Sequence, residues 1–281
     1  MGNEEWREVY YQYQIPDEIL LLRQIETELS NKGLSLSQIG FLPIDQPETY
    51  SITPPDLIPF ASTGGGGIHF GFLTEFHSVS NLTEAPIVCV TPTNDPPIRY
   101  MARNIREFLD LAFSVPYVEM LETIWTYDNE NQVHDFVEEF EKDSPSEWHK
   151  NREHIQTRCR GVFGTKKVNV INYFQEVKKE RANSICMDTL DGLGVIGEHP
   201  FIQTGQHFQL PENRNYEEVD VDRMRSFLIK ANKTEKLAFV RDANYWYIVS
   251  SGYDESIWEL IIEVLISLKL EDEAERVSER C

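Results

Sequence analysis

Apolar residues recur at helical spacing near the start of the chain. In residues 16–33 they occur every three or four positions, at Ile19, Leu22, Ile25 and Leu29. Residues with this spacing share one face of a helix. A proline begins the segment and a glycine ends it, which is typical of helix boundaries. The pattern predicts an amphipathic helix over residues 16–33.

Four short runs between residues 56 and 101 have the composition of β-strands. They are "DLIPFAS", "GIHFGFL", "PIVCVTP" and "TNDPPIRYM", and they combine β-branched or aromatic residues with flanking turn residues. We expect them to form one sheet. Helical spacing returns from Arg103, where Ile105, Phe108, Leu109 and Ala112 share a face, and it continues beyond Pro116.

The second half of the chain mixes both signals. Residues 128–150 predict an acidic surface helix followed by a linker, and further helices are predicted over 170–179, 221–231 and 255–268. The segment "SICMDTLDGLGVIG" predicts a hairpin, because its central Asp-Gly pair is a preferred turn dipeptide. The runs "KLAFVRD" and "YWYIVS" predict two more strands.

Strands and helices therefore occur in blocks rather than in strict alternation, which favours an α+β fold over a doubly wound α/β fold. We expect a first domain over residues 1–145, with a mainly antiparallel sheet flanked by helices. A second, smaller α+β unit is expected over residues 146–281.

Charge separates the two halves of the chain. The 281 residues carry a net charge of −21. Residues 1–150 contain 8 basic and 25 acidic side chains, a net of −17, whereas the remainder contains 18 and 22, a net of −4. Such a charge repels nucleic acid and anionic membranes and attracts basic partners. We expect no nucleic-acid or membrane partner.

Several classes of chemistry lack their motifs. No nucleophile elbow and no H-E-x-x-H motif is present, and the four cysteines are far apart without a CxxC pair. The acidic first twenty residues do not resemble a signal peptide, and no apolar run has the length of a membrane span. We expect a cytoplasmic protein without a catalytic residue, metal or cofactor.

Four consecutive glycines, Gly64, Gly65, Gly66 and Gly67, precede the aromatic run "IHFGFL". A phosphate-binding loop leads into a helix, and a Walker loop also carries a lysine. Here the residues that follow alternate as in a strand. We interpret the glycines as a tight structural turn that uses positive φ angles.

An acidic cluster lies in the predicted surface helix and just after it, at Asp135, Glu138, Glu139, Glu141 and Asp143. One interpretation is a solvated helix face. The other is a docking surface for a basic partner, because concentrated charge of one sign accelerates association with the opposite sign.

A second candidate site lies between the two predicted halves, where ligands often bind. Its polar residues stand beside predicted strands and turns: His69, His77, Asp188, Asp191 and Arg241. His69 and His77 are placed to meet across a hairpin. Ordinary hydrogen-bonded histidines are the alternative.

The segments "TPPDLIPFASTGGGGIHFGFL" and "APIVCVTPTNDPPIRYMARNIREFLDLA" follow a helix in this chain. This order resembles the SMI1/KNR4 group, the SUKH superfamily, in which a glycine-rich turn precedes an aromatic strand, followed by a "P-I-V" strand and a helix ending in "EFL". The resemblance covers about residues 16–125. It implies an α+β fold without catalytic residues and, for many bacterial members, a role as an immunity protein that neutralises a toxin.

Three functions follow as expectations. The first is a non-catalytic intracellular binding module, an immunity-type protein that neutralises a basic toxin. The second is an enzyme or small-molecule-binding protein with its site between the halves. The third is a structural or regulatory subunit of a homo-oligomer.

Overall fold

The computed structural model describes residues 4–44, 49–142, 144–197, 205–210, 220–246 and 255–279. Within these residues the chain is an α+β protein with a five-stranded antiparallel sheet and a two-stranded one. The strands of the larger sheet pair in chain order. They are β1 (Leu42–Pro43), β2 (Leu57–Ser62), β3 (His69–Leu73), β4 (Ile87–Val90) and β5 (Ile98–Ala102). The α+β class and the four predicted strands of this region are confirmed.

The smaller sheet is a hairpin of β6 (Ile185–Met187) and β7 (Val195–Ile196). Its turn closes where Gly192 N donates to Thr189 O, and Gly192 has a φ of +75°. Glycine adopts this conformation without a steric penalty. The predicted hairpin is therefore confirmed.

Ten α-helices surround the sheets in the described part of the chain. They are α1 (Asp17–Ser30), α2 (Ile105–Ala112), α3 (Met120–Ile124), α4 (Glu130–Glu141), α5 (Ser146–Phe163), α6 (Val170–Ser184), α7 (Val221–Lys230), α8 (Lys233–Tyr245), α9 (Glu255–Ser267) and α10 (Glu271–Ser278). The predictions for α1, α2, α4, α6, α7 and α9 are confirmed, whereas α10 had no counterpart in the sequence analysis.

The larger sheet is covered on both faces. On one face Phe60, Phe70 and Phe72 join a core that includes residues of α1, α2, α5 and α6. On the other face Val88 and Val90 lie in a second cluster with Leu193 of the β6–β7 turn. Because side chains of a strand alternate between faces, β4 contributes to both cores at once. The second half of the chain therefore packs against the sheet of the first.

The expected linker is wrong for residues 146–150. These residues form the first turns of α5, which begins at Ser146 directly after Pro145. Farther along, α5 and α6 place Ile155, Cys159 and Phe174 in the first core. The division at residue 146 remains a prediction about folding units, although side chains on both sides of it share this core.

The strand predicted at "KLAFVRD" is also wrong, because the segment lies in α8. A capping box starts this helix: Asn232 accepts from the backbone N–H of Glu235, and the Glu235 carboxylate accepts from the backbone of Asn232. All eight residues from Leu237 to Asn244 are buried. A helix buried on every side lacks helical periodicity in its sequence, and its apolar run is indistinguishable from that of a strand. Most of "YWYIVS" lies outside the described residues.

Across the described ranges, no helix is both long and apolar enough to cross a bilayer. No group of three or more His, Cys, Asp or Glu side chains in the same ranges has an arrangement that would hold a metal ion. Cys89, Cys159 and Cys186 are buried free thiols.

Candidate functional site

The acidic cluster forms most of one exposed surface on α4. Its apolar residues Val133, Phe136 and Val137 pack against the first core. Asp135, Glu138 and Glu139 are exposed, Glu141 is partly buried, and Asp143 lies outside the described residues. The helix thus keeps a narrow apolar stripe inward and its carboxylates in solvent.

Two of the exposed carboxylates each lie near one exposed basic side chain. His134 Nε2 lies 3.8 Å from Glu138, and Lys142 Nζ lies 3.5 Å from Glu139. Exposed pairs of this kind contribute little, because water competes for both charges. These carboxylates therefore present net negative charge to solvent.

Glu141 has a different role from its neighbours. It forms an ion pair with Arg152 of α5, and the Arg152 guanidinium lies 5.3 Å from the centre of the Tyr117 ring. The pair connects α4 to α5 and withdraws Glu141 from the exposed acidic face.

Two aromatic side chains flank the α4–α5 corner. Phe140 near the end of α4 is 41% exposed, and Trp148 in the first turn of α5 is 63% exposed. Phe140 still contacts Tyr117, with 5.1 Å between ring centres. The exposure of these two side chains was not predicted: Phe140 was expected in the apolar stripe of α4, although a tryptophan within the polar stretch "SPSEWHK" was an available signal. We call Asp135, Glu138, Glu139, Phe140 and Trp148 the corner surface.

The four glycines turn the chain between β2 and β3. Gly64, Gly66 and Gly67 have φ values of +80°, +61° and +70°. Thr63 N donates to Ile68 O at 3.0 Å, which closes the loop. A Cβ on Gly67 would lie 2.7 Å from the Tyr50 ring, so this position also has no space for a side chain. The loop leads into a strand and not into a helix.

The two candidate histidines lie at opposite ends of β3 and do not form one site. His69 begins the strand and is buried; its Nδ1–H donates to Gly67 O at 2.8 Å, and its Nε2 lies 3.1 Å from the Thr53 hydroxyl. These contacts give His69 a structural role in the glycine turn. His77 follows β3 and lies 2.9 Å from Glu273 of α10.

Asp191 and Arg241, by contrast, do come together. Arg241 Nη1 donates to Asp191 Oδ2 at 3.2 Å, and its Nη2 donates to Asp56 Oδ2 at 2.7 Å. Glu75 lies 3.6 Å from the same guanidinium. Asp188, the remaining candidate, is exposed at the hairpin surface.

Two further arginines extend this group. Arg181 of α6 binds both oxygens of Glu75 and donates from Nε to Leu193 O at 2.7 Å. Arg276 of α10 donates to Glu273 at 2.9 Å and to Pro55 O at 2.7 Å. We call the whole set the junction cluster: Asp56, Glu75, Arg181, Asp191, Arg241, Glu273 and Arg276.

The junction cluster is buried throughout, with no member more than 7% exposed. Burial raises the pKa of Asp56 to about 7, Arg241 opposes this shift, and the nearby carboxylates of Glu75, Glu273 and Asp191 add to it. Burial acts to lower the pKa of Arg241, but its three carboxylate neighbours outweigh that effect and leave the pKa raised. Both shifts follow from charges held out of water.

Two clefts lie beside the cluster, between the sheet and the second half of the chain. The larger, of about 620 Å³, is lined by Glu75, Phe76, Cys186, Lys233 and Leu237 among others. The smaller, of about 300 Å³, lies between Tyr100, Trp125 and the β6–β7 turn. Both volumes fall near the range of small-molecule sites, roughly 300–1,000 Å³.

Comparison with known proteins finds no family model and no curated protein that matches this chain.

Proposed function

We propose that the protein is a non-catalytic, intracellular binding module whose corner surface binds a basic protein. The observation that carries the proposal is Trp148, which is 63% exposed in the first turn of α5, shortly after the acidic helix α4 in the chain. Tryptophan is among the residues that contribute most binding energy at protein interfaces. Phe140 enlarges the apolar part of the same surface.

The negative charge of the corner surface indicates that its partner is basic. Asp135, Glu138 and Glu139 are exposed. Their field attracts a basic surface before contact and excludes acidic competitors. The resemblance of residues 16–125 to the SUKH superfamily supports an immunity-type role in the cytoplasm, with a basic toxin as the partner.

The first experiment measures binding to a panel of basic protein toxins encoded near this gene, at low and high salt. We expect one of them to be bound and inhibited. Its association should slow as salt rises, because screening weakens attraction between exposed charges. A panel in which no toxin binds or loses activity contradicts the immunity role.

A matched pair of variants locates the interface. Trp148→Ala should raise the dissociation constant roughly 30-fold, the equivalent of about 2 kcal/mol of binding free energy at a hot spot. Ile229→Ala is the control, because Ile229 is also a large apolar side chain, 76% exposed, but lies on α7. Equal binding by the two variants would place the interface elsewhere.

The 620 Å³ cleft favours a second candidate function, the binding of a small molecule between the halves. A thermal-shift screen with a metabolite library tests it. Ser78→Trp should abolish any shift, because Ser78 is an exposed residue that lines this cleft. Ser80→Trp is the matched control, exposed two residues farther along the same segment. If both variants respond like the original protein, the ligand binds outside the cleft.

A further inference from the structure

The junction cluster joins parts of the chain that are far apart in sequence. Asp56 precedes β2, Glu75 follows β3, Arg181 lies on α6, Asp191 lies in the β6–β7 turn, and Arg241 lies on α8. We propose that these five residues form a proton-controlled latch. One proton is held among the three carboxylates in the folded protein, and its loss as pH rises weakens the attachment of α8 and the hairpin to the sheet.

Charge counting supports the proton. Three carboxylates, those of Asp56, Glu75 and Asp191, face two guanidinium groups, those of Arg181 and Arg241. All five side chains are 7% exposed or less. If all five side chains were ionised, the set would hold one excess negative charge out of water, at a large cost in free energy. A single bound proton removes that excess.

Hydrogen bonding identifies Asp56 as the residue that holds the proton. Glu75 accepts from Arg181 at both oxygens, and Asp191 Oδ1 accepts from the Thr189 hydroxyl and from Leu193 N. Asp56 Oδ2 accepts from Arg241, but its Oδ1 is buried without a hydrogen-bond partner among the described residues. The carboxylate with the fewest donors is the least stabilised as an anion.

Other titratable groups around the five residues also change stability with pH, and they do not all act in the same direction. On α10, Glu273 and Arg276 face the cluster as a pair, 2.9 Å apart. His77 lies at its rim, 2.9 Å from Glu273 and 3.9 Å from Asp272, and burial lowers the pKa of His77. His77 therefore opposes folding below its ordinary pKa of 6.5, the reverse of the effect expected from Asp56.

Asp242, next to Arg241 on α8, changes the stability of the fold with pH in the same direction as Asp56. Its carboxylate accepts from Leu190 N at 2.7 Å and lies 3.6 Å from His207. Burial raises the pKa of Asp242 to about 6. A test of the latch must therefore isolate the contribution of Asp56.

The sign of the effect follows from linkage. Between its ordinary pKa of 3.8 and its folded value of about 7, Asp56 binds more proton in the folded protein than in the unfolded chain. The contribution of Asp56 to stability is thus complete at acid pH and falls as pH rises through this window. One proton changes the ratio of folded to unfolded protein by up to about tenfold per pH unit.

The test compares urea unfolding of the original protein and the Asp56→Asn variant from about pH 5 to pH 8. Asparagine resembles the protonated aspartate in size and, like it, carries no charge. We expect the stability of the original protein to fall relative to the variant as pH rises, with the variant the more stable at the alkaline end. Asp135→Asn is the matched control on exposed α4, and its profile should run parallel to that of the original protein.

Hydrogen exchange reports on the latch itself. After correction for intrinsic rates, amides of α8 in the original protein should lose protection toward pH 8, whereas those of Asp56→Asn should not. Parallel pH profiles for the original protein and Asp56→Asn, or a constant destabilisation of the variant at every pH, would overturn the proposal.

If Asp56→Asn fails to fold, carbon-13 NMR of the aspartate carboxyls in the original protein replaces it. The Asp56 signal should titrate near neutral pH. A midpoint below about pH 5, as in an ordinary aspartate, overturns the latch.

Discussion

The corner surface and the junction cluster use carboxylates in opposite ways. Asp135, Glu138 and Glu139 are close together in sequence and exposed on one helix. Asp56 and Glu273 are far apart in sequence, yet both belong to one buried network. The dense run of acids on α4 therefore marks a surface, whereas the buried network combines isolated acids such as Asp56 with Glu273, which ends the acidic run 271–273 of α10.

The difference has a physical cause. Neighbouring like charges repel, and water screens this repulsion only when the helix face stays exposed. A buried carboxylate requires cations or donors, and a single segment of chain rarely supplies enough of them. The first arrangement suits recognition of a partner, and the second suits specific attachment of two parts of the chain.

The largest expected effect comes from removing the central cation of the junction cluster. Arg241→Met leaves Asp56 and Asp191 buried without their main partner, and breaking a buried ionic network typically costs about 3–5 kcal/mol. We expect a loss of this size in the free energy of unfolding, measured with urea.

Arg225→Met is the control, because Arg225 forms an exposed pair with Glu263 at 3.4 Å. Its cost should stay below about 1 kcal/mol. Above about pH 7, where Asp56 has lost its proton, the double variant Arg241→Met with Asp56→Asn should recover part of the loss, since it removes one unpaired charge. A cost below 1 kcal/mol for Arg241→Met would remove the distinction between the two regions.

Glu141 is the intermediate case, since it belongs to the acidic helix but pairs with Arg152 of α5. Glu141→Gln should cost roughly 0.5–1.5 kcal/mol, more than the loss of an exposed ion pair and less than that of a fully buried one, because the Glu141–Arg152 pair is partly buried. Thermal unfolding measures the cost. Glu138→Gln provides the comparison and should have no measurable effect; an equal effect of both would mean that the Glu141 pair is as weak as a surface pair.

The smallest effect on stability should come from neutralising the exposed face. The triple variant Asp135→Asn, Glu138→Gln, Glu139→Gln removes like charges spaced three and four residues apart on α4. Its unfolding free energy should change by no more than about 0.5 kcal/mol, with a slight gain from reduced repulsion. A loss above 1 kcal/mol would show that these carboxylates stabilise the fold and are not simply solvated.

Binding kinetics test whether the acidic face of α4 attracts a partner or is simply solvated. The triple variant should associate more slowly with a basic partner, and its association rate should depend less on salt, while dissociation changes little. Trp148→Ala should instead accelerate dissociation. Identical kinetics for both variants would indicate that the two parts of the corner surface do not act as charge and anchor.

Local signals predicted much of the architecture. The apolar spacing of α1 and α2, the short β-branched runs of the sheet and the Asp-Gly turn of the hairpin were sufficient for these elements. The glycine turn was readable for the same reason, because the following residues alternate as a strand. Each of these features depends on contacts between residues near in sequence or on a periodic face.

The errors share another cause. The run "KLAFVRD" is a helix buried on all sides, so its sequence shows no polar face. Arg241 and Asp191 were chosen as ligand-site candidates, and the structure pairs them with Asp56, which drew no attention in the sequence. Trp148 was passed over despite its polar neighbours in the sequence, and the fold leaves its side chain 63% exposed.

The sequence by itself determined the α+β class, four of the five strands of the larger sheet, the glycine and Asp-Gly turns and the acidic character of α4. These follow from periodicity, backbone preferences and charge density over short stretches of chain. Only the tertiary structure decided how the second half covers both faces of the sheet and which acids and arginines meet in the junction cluster. Burial and ion pairing depend on distances between residues such as Asp56 and Arg241, which are 185 positions apart, and no local pattern encodes those distances.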